Sequence, residues 1–119
     1  MQIMQSAKTV LQNYAKFEGR SGRPEYWWWV VAYLVAALVV GIVGQAAAAV
    51  SLLSNILALA LFIPSIAVGV RRFHDIGKSG WWLLIGIIPI VGWIAVIYFA
   101  AQPSQGSNQF GEGPQPLVA

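Results

Sequence analysis

Hydrophobic residues form two long stretches of this chain, and neither stretch contains a charged side chain. The first covers residues 26–70. As one helix it would be about 68 Å long, more than twice the thickness of a hydrocarbon core of about 30 Å. It therefore predicts two membrane spans, at about residues 25–48 and 52–72. The connecting turn is expected where small and polar residues gather: Gly44, Gln45, Ser51, Ser54 and Asn55.

The second uncharged stretch covers residues 79–107, and its apolar part, residues 81–101, is long enough for a third span. Pro89 and Gly92 interrupt it, and Pro64 interrupts the second span. A proline removes the donor for the carbonyl four residues earlier, so we expect both kinks to face other helices. The alternative is that residues 89–92 turn the chain back as a re-entrant hairpin, which returns the tail to the cytoplasm.

Residues 5–17 show a helical period, with one apolar face made of Val10, Leu11, Tyr14 and Phe17. This segment is too short and too polar to span a membrane. It predicts an amphipathic helix in the membrane interface, and a solvated N-terminal segment is the alternative. Residues 102–119 are rich in Gly, Pro, Ser and Gln, which predicts an irregular tail. Residues 1–119 are thus interpreted as one all-α membrane domain with three transmembrane helices.

The composition supports lipid as the solvent for much of the surface. Hydrophobic residues make up 58% of the chain, charged residues 9%, and the mean hydropathy is +0.67. Soluble domains carry roughly 25% charged residues.

The absence of cysteine excludes disulfides and thiolate chemistry. The net charge of +3 is attributed to basic loops that face anionic lipid headgroups. Nucleic acid is not expected as a partner, because no basic stripe lies on a soluble element.

The positions of the basic residues predict an orientation. Four precede the first span (Lys8, Lys16, Arg20 and Arg23), and three lie between the second and third (Arg71, Arg72 and Lys78). With three spans, these segments share one side of the membrane. The positive-inside rule then predicts a cytoplasmic N-terminus and a periplasmic C-terminus in a bacterial inner membrane.

Aromatic residues predict the depth of the interfaces, because indole rings favour the headgroup level. The cytoplasmic belt is expected to consist of Trp27, Trp28, Trp29, Trp81 and Trp82. The opposite belt is thinner, with Tyr98 and Phe99 as its candidates.

Two polar segments, residues 17–27 and 71–82, contain the most distinctive motifs. The second reads Arg-Arg-x-His-Asp and then Ser-Gly-Trp-Trp. Together with residues 89–93 and 106–111, they make the chain resemble the bacterial family catalogued as domain of unknown function 805. The resemblance extends from about residue 14 to residue 114. It implies a small multi-pass inner-membrane protein without an established activity.

The candidate site is an interfacial polar cluster of Arg20, Arg23, Glu25, Arg71, Arg72, His74, Asp75 and Lys78. In one interpretation, acids and arginines pair and lock the two motif segments together. In another, Arg71 and Arg72 bind lipid phosphate. Catalysis or metal binding by His74 and Asp75 is disfavoured, because a catalytic zinc site takes three protein ligands and the chain has one His and no Cys. We expect no catalytic, cofactor or metal site.

These observations predict a non-enzymatic membrane component that contacts lipid or serves as an accessory subunit. Its expected partners are anionic headgroups, together with a larger membrane protein or a second copy of the chain. Small residues spaced four apart, such as Ala37 with Gly41 and Gly44 with Ala48, would allow close helix contact. The alternative function is an oligomeric pore or a small-solute transporter.

Overall fold

A computed structural model describes residues 2–45, 48–114 and 116–117. The described residues form four α-helices and one 3₁₀ helix, so the all-helical prediction is confirmed. The helices are α1 (Gln2–Gln12), α2 (Arg23–Gly44), α3 (Ala48–Asp75), the 3₁₀ helix (Gly80–Ile87) and α4 (Val91–Ala100). Both α2 and α3 are long and apolar enough to cross a membrane, while α4 has only 10 residues.

The predicted second span begins earlier than expected. Ser51 and Ser54 were assigned to the turn, but both lie inside α3. The Ser54 hydroxyl donates to the Ser51 carbonyl at 2.8 Å, and the Ser51 hydroxyl donates to the Gly44 carbonyl at 3.3 Å. Serine hydroxyls bonded in this way to nearby carbonyls are tolerated in helices, which explains why they do not end α3. Residues 46–47, where part of the turn was predicted, lie outside the described residues.

Pro64 is buried in α3, as predicted for a kink that faces the bundle. The carbonyl of Ala60 accepts a hydrogen bond from the hydroxyl of Tyr14, a residue that follows α1. This bond replaces the helical donor that Pro64 removes. The expectation that the second proline also faces other helices is wrong, because Pro89 is exposed.

The N-terminal helix forms, but it buries a different face from the predicted one. Val10 packs with Trp29 and Val68 in the small core where α1, α2 and α3 meet. The other members of the predicted face, Leu11, Tyr14 and Phe17, remain exposed. The helix ends at Gln12, so Tyr14 and Phe17 leave its period and no longer share a face with Val10.

The predicted third span is not one continuous helix, so three spans are not confirmed. The 3₁₀ helix ends at Ile87, and Ile90 has a φ of 65° immediately before α4. The chain then turns so tightly that a Cβ added to Gly92 would lie 1.7 Å from the Ile85 carbonyl oxygen. Pro89 and Gly92 permit this turn together, because proline ends the first helix and glycine allows the backbones to touch. Residues 80–100 therefore form a hairpin, as in the re-entrant alternative.

The tail lies at the same end of the bundle as the polar motifs. Arg20 donates from Nη1 to the carbonyls of Gly106 and Gly111, each at 3.0 Å. The tail is therefore at the same end of the helices as Arg20, whereas a straight helix over residues 81–101 would carry it to the opposite end. Phe99, assigned to the far aromatic belt, instead packs near Phe73 and Trp82 at this polar end. Both errors follow from the assumption that residues 81–101 form a straight helix.

Candidate functional site: a buried arginine cap

The C-terminal end of α3 supplies the centre of the site. Arg72 and Asp75 are three residues apart, so they share a helix face, and Arg72 Nη1 lies 2.7 Å from Asp75 Oδ2. Arg20, from the loop before α2, donates from Nε to Asp75 Oδ1 at 2.9 Å. All three side chains are fully buried. We call Arg20, Arg72 and Asp75 the arginine cap.

Arg20 connects three parts of the chain. A guanidinium group has five N–H donors in a rigid fork. In Arg20, Nε is used by Asp75 Oδ1, Nη1 by the carbonyls of Gly106 and Gly111, and Nη2 by the carbonyls of Asp75 and Gln105. Lysine has no such fork, so this arrangement explains why an arginine occupies the position.

Arg72 continues the same network toward α4. Its Nε donates to the Ala100 carbonyl at 2.9 Å, where α4 ends, and its Nη2 donates to the Gln102 carbonyl. The hydroxyl of Ser104 donates to Asp75 Oδ2, which brings the tail to the second carboxylate oxygen. The cap therefore holds the exit of the hairpin and the beginning of the tail against α3.

A separate ion pair lies beside the cap. Arg71 Nη1 is 3.0 Å from Glu25 Oε2, and both side chains are buried. The pair joins the first turn of α2 to the C-terminal part of α3. The backbone strengthens this junction, because the Ser21 amide donates to the Arg71 carbonyl at 2.9 Å. Breaking a buried pair by removing one partner typically destabilises a protein by about 3–5 kcal/mol.

The burial of Arg71 and Arg72 bears on the phosphate interpretation. Both side chains have 0% exposed surface. Neither guanidinium group can reach a lipid headgroup without breaking the contacts described above. Arg23, by contrast, is exposed at the start of α2. The cluster predicted from sequence therefore contains buried members that pair internally, together with Arg23, which is exposed.

His74 belongs to the structural part of the cluster. Its Nδ1 lies 2.9 Å from the Gly19 carbonyl, so this nitrogen carries the proton in the arrangement. Its ring stacks on Phe110 with centroids 4.0 Å apart, and its carbonyl accepts from Asn108. The neighbouring Asp75 carboxylate is occupied by two arginines and a serine. This geometry gives His74 a packing role between the first loop and the tail.

Lys78 lies apart from the cap. Its Nζ is 4.8 Å from the ring centroids of both Trp82 and Phe99. A cation over aromatic faces is attracted by the ring quadrupoles. Next to it is an open cavity of about 330 Å³ between the loop that follows α3, the end of α4 and the tail.

The five tryptophans assigned to one belt have different environments. Trp29 is a core residue whose Nε1 donates to the Ser65 hydroxyl at 3.1 Å, so its assignment to a lipid belt is wrong. Trp27 donates to the Ala100 carbonyl at 3.0 Å and holds α4 against α2. The remaining three are exposed: Trp28, Trp81 and Trp82.

Sequence reasoning missed the contribution of the tail to this site. The groups that accept from Arg20 and Arg72 there are backbone carbonyls, which any residue could supply. The glycine at position 111 was one signal that this part of the tail has a fixed conformation. Gly111 has a φ of 145° and lies against the Arg20 side chain. A residue with a Cβ would be strained in that conformation.

The sequence of this chain is similar to those of known proteins. A family model described as "Protein of unknown function (DUF805)" matches residues 14–112. The inner membrane protein YhaH of Escherichia coli is 37% identical over 89% of this chain and 93% of its own length. The inner membrane protein YhaI of the same organism is 34% identical over 94% of this chain and 97% of its own length. No solved structure matches this chain.

Proposed function

The chain belongs to the DUF805 family of proteins of unknown function, and from that premise we propose that it is a non-enzymatic inner-membrane component, a lipid-contacting or accessory subunit of a membrane assembly. One observation carries this proposal. The distinctive acid and arginines of the motifs, Arg20, Arg72 and Asp75, are fully buried and bond to one another and to the backbone. Such an arrangement holds segments together and commits the Asp75 carboxylate to internal bonds.

The proposal includes a topology. We infer that α2 and α3 cross the membrane, and that the 3₁₀ helix and α4 enter and leave it from the cytoplasmic side. The N-terminal segment and the tail then share the cytoplasm. Two observations support this arrangement: the tail bonds to Arg20, and every Lys and Arg lies either before residue 24 or between residues 71 and 78. The relatives named inner membrane proteins support insertion into the same membrane.

The topology is tested by cysteine labelling, because the natural chain has no cysteine. Gly113→Cys lies in the tail, and Gln45→Cys lies at the end of α2. With a membrane-impermeant maleimide on cells whose outer membrane is permeabilised, we expect Gln45→Cys to react. Gly113→Cys should react only after the inner membrane is opened. Reaction of both cysteines before that step would place the tail outside and overturn the topology.

The accessory role is tested by purification from mild detergent followed by mass spectrometry. We expect a membrane protein to co-purify in near-stoichiometric amount with the wild-type chain. The control is Phe62→Lys, which places a charge on an exposed apolar position of α3 and should release a partner that packs there. Co-purification of nothing but copies of the chain would contradict the accessory role.

A pore is the second candidate, and one observation favours it. A cavity of about 220 Å³ opens between α2 and α3, and its lining includes Tyr33, Ser54 and Asn55. Polar groups within spans are typical of solute pathways, although no residue between 26 and 70 is charged. A pure homo-oligomer that produces solute flux in liposomes would support the pore over the accessory subunit.

A further inference from the structure

Lys78 is held in a defined position although it belongs to no ion pair among the described residues. Gly77, two residues after the end of α3, has a φ of 81°, and the Lys78 amide then donates back to the Phe73 carbonyl at 2.9 Å. This is the bonding of a glycine-terminated helix end. The side chain lies between the rings of Trp82 and Phe99, which restrict its direction without neutralising its charge.

The cavity beside Lys78 has walls of two kinds. Its polar wall contains Lys78, Gln102 and Gln105, and its apolar wall contains Ile76, Tyr98 and Phe99. Gln102 Nε2 also donates to the Tyr98 carbonyl at 3.0 Å, and Gln105 Oε1 accepts from Asn108 at 2.9 Å. Amide N–H groups and an ammonium are donors for phosphate oxygens. The mixture is suited to a ligand with an anionic group attached to an apolar body.

The charge around the cavity favours an anion. The nearest acid along α3 is Asp75, and two arginines compensate it within the cap. The cap therefore has one excess positive charge, and Lys78 adds a second. An anion at the cavity would meet a positive field from both.

The apolar body can be placed on α4. Tyr98, Ile94 and Ile97 follow a helical spacing of three or four residues, and each is more than half exposed. Their surface continues from the apolar wall of the cavity along the hairpin. This continuity favours a lipid over free phosphate, because inorganic phosphate would gain nothing from it.

We propose that the cavity at Lys78 binds the phosphodiester of an anionic phospholipid, whose acyl chains lie along the exposed face of α4. This inference rests on the proposed membrane insertion, in which Lys78 is at headgroup level. It assigns the lipid contact to Lys78 and leaves Arg71 and Arg72 to their internal pairs.

The test is native mass spectrometry of the full chain in neutral detergent, titrated with phosphatidylglycerol. We expect Lys78→Gln to weaken the first binding event about fivefold, the factor for about 1 kcal/mol per basic residue at an anionic surface. Lys78→Arg should keep most of the affinity. Lys8→Gln is the matched control, because Lys8 is an exposed lysine on α1, outside the cavity. It should bind as the wild type does.

Two further measurements distinguish a lipid phosphate from free phosphate and show whether a loss of binding comes from a folding defect. Phosphatidylcholine, and inorganic phosphate added as a competitor, should leave phosphatidylglycerol binding unchanged. Pro103→Lys adds a second cation at the cavity rim, where Pro103 is exposed, and should tighten binding.

Three results would overturn the proposal: equal losses in Lys78→Gln and Lys8→Gln, effective competition by inorganic phosphate, or no gain with Pro103→Lys. The measurement in detergent does not depend on membrane orientation or on a protein partner. Failure of the lipid site is therefore distinguishable from failure of the proposed function, which the labelling and co-purification experiments test.

Discussion

The two ends of the α2–α3 pair are built in different ways. At the polar end, charged side chains are fully buried and joined to four segments of the chain, and the tail covers them. At the other end, around Gly44 and Ser51, one hydrogen bond of 3.3 Å joins the described residues of the two helices, and large apolar side chains such as Ile42 and Leu52 are exposed. The comparison teaches that the fold is fixed at one end, while the other end depends on what surrounds it.

The largest effect is expected from removing the shared acid of the polar end. Asp75→Asn leaves Arg20 and Arg72 buried without a counter-charge, so the free energy of unfolding should fall by about 3–5 kcal/mol. Thermal unfolding of the purified chain in neutral detergent measures the loss. Glu18→Gln, at an exposed acid in the first loop, is the control and should change stability by less than about 1 kcal/mol. Similar losses in the two variants would refute the claim that the cap fixes this end.

The hairpin turn should be the next most sensitive position. Gly92→Ala places a Cβ against the Ile85 carbonyl, so the two arms of the hairpin must separate. We expect a loss of about 1–3 kcal/mol, the usual result of overpacking. Gly41→Ala is the matched control, because no heavy atom lies within 4 Å of its added Cβ. If the two alanines behave alike in thermal unfolding, the close contact at Gly92 is not needed.

A smaller effect is expected where α1 meets the kink of α3. Tyr14→Phe removes the hydroxyl that donates to the Ala60 carbonyl, and a lost hydrogen bond of this kind contributes about 0.5–1.5 kcal/mol. Tyr98→Phe removes a hydroxyl from an exposed tyrosine and should leave the melting temperature unchanged. A Tyr14→Phe protein as stable as wild type would mean that another group satisfies the carbonyl.

The smallest effect is expected at the far end. Ser51→Ala removes the hydroxyl bonded to Gly44, but this group is exposed, so stability should stay within about 0.5 kcal/mol of wild type. A loss as large as that of Asp75→Asn would show that both ends fix the fold, and the contrast between them would disappear.

The sequence was sufficient for the two long helices, because length and apolar composition alone predict them. It was also sufficient to bring the motif acids and arginines to one end of the molecule. The hairpin was harder to predict, since a proline and a glycine three residues apart are compatible with both a kink and a reversal. Whether the chain kinks or reverses depends on the close contact between Gly92 and Ile85, and the spacing of apolar residues does not reveal that contact.

The tail was misplaced for an instructive physical reason. Its lack of Lys and Arg was interpreted as a sign of the periplasmic side, under the positive-inside rule. In the structure, the tail instead supplies carbonyl acceptors, at Gln102, Gln105, Gly106 and Gly111, to arginines from other segments. A segment that accepts bonds from cations needs no cations of its own, and charge counting cannot recognise it.

The bonds from Arg20 to Gly106 and Gly111 also have a consequence for biosynthesis. Arg20 is made and inserted with the first helix, but two of its acceptors leave the ribosome 86 and 91 residues later. Until then, its guanidinium must remain hydrated or borrow other partners. Synthesis of residues 106–111 is therefore itself a folding step. A nascent chain truncated before residue 106 would display an open basic end, a feature by which quality-control proteases could distinguish unfinished copies from finished ones.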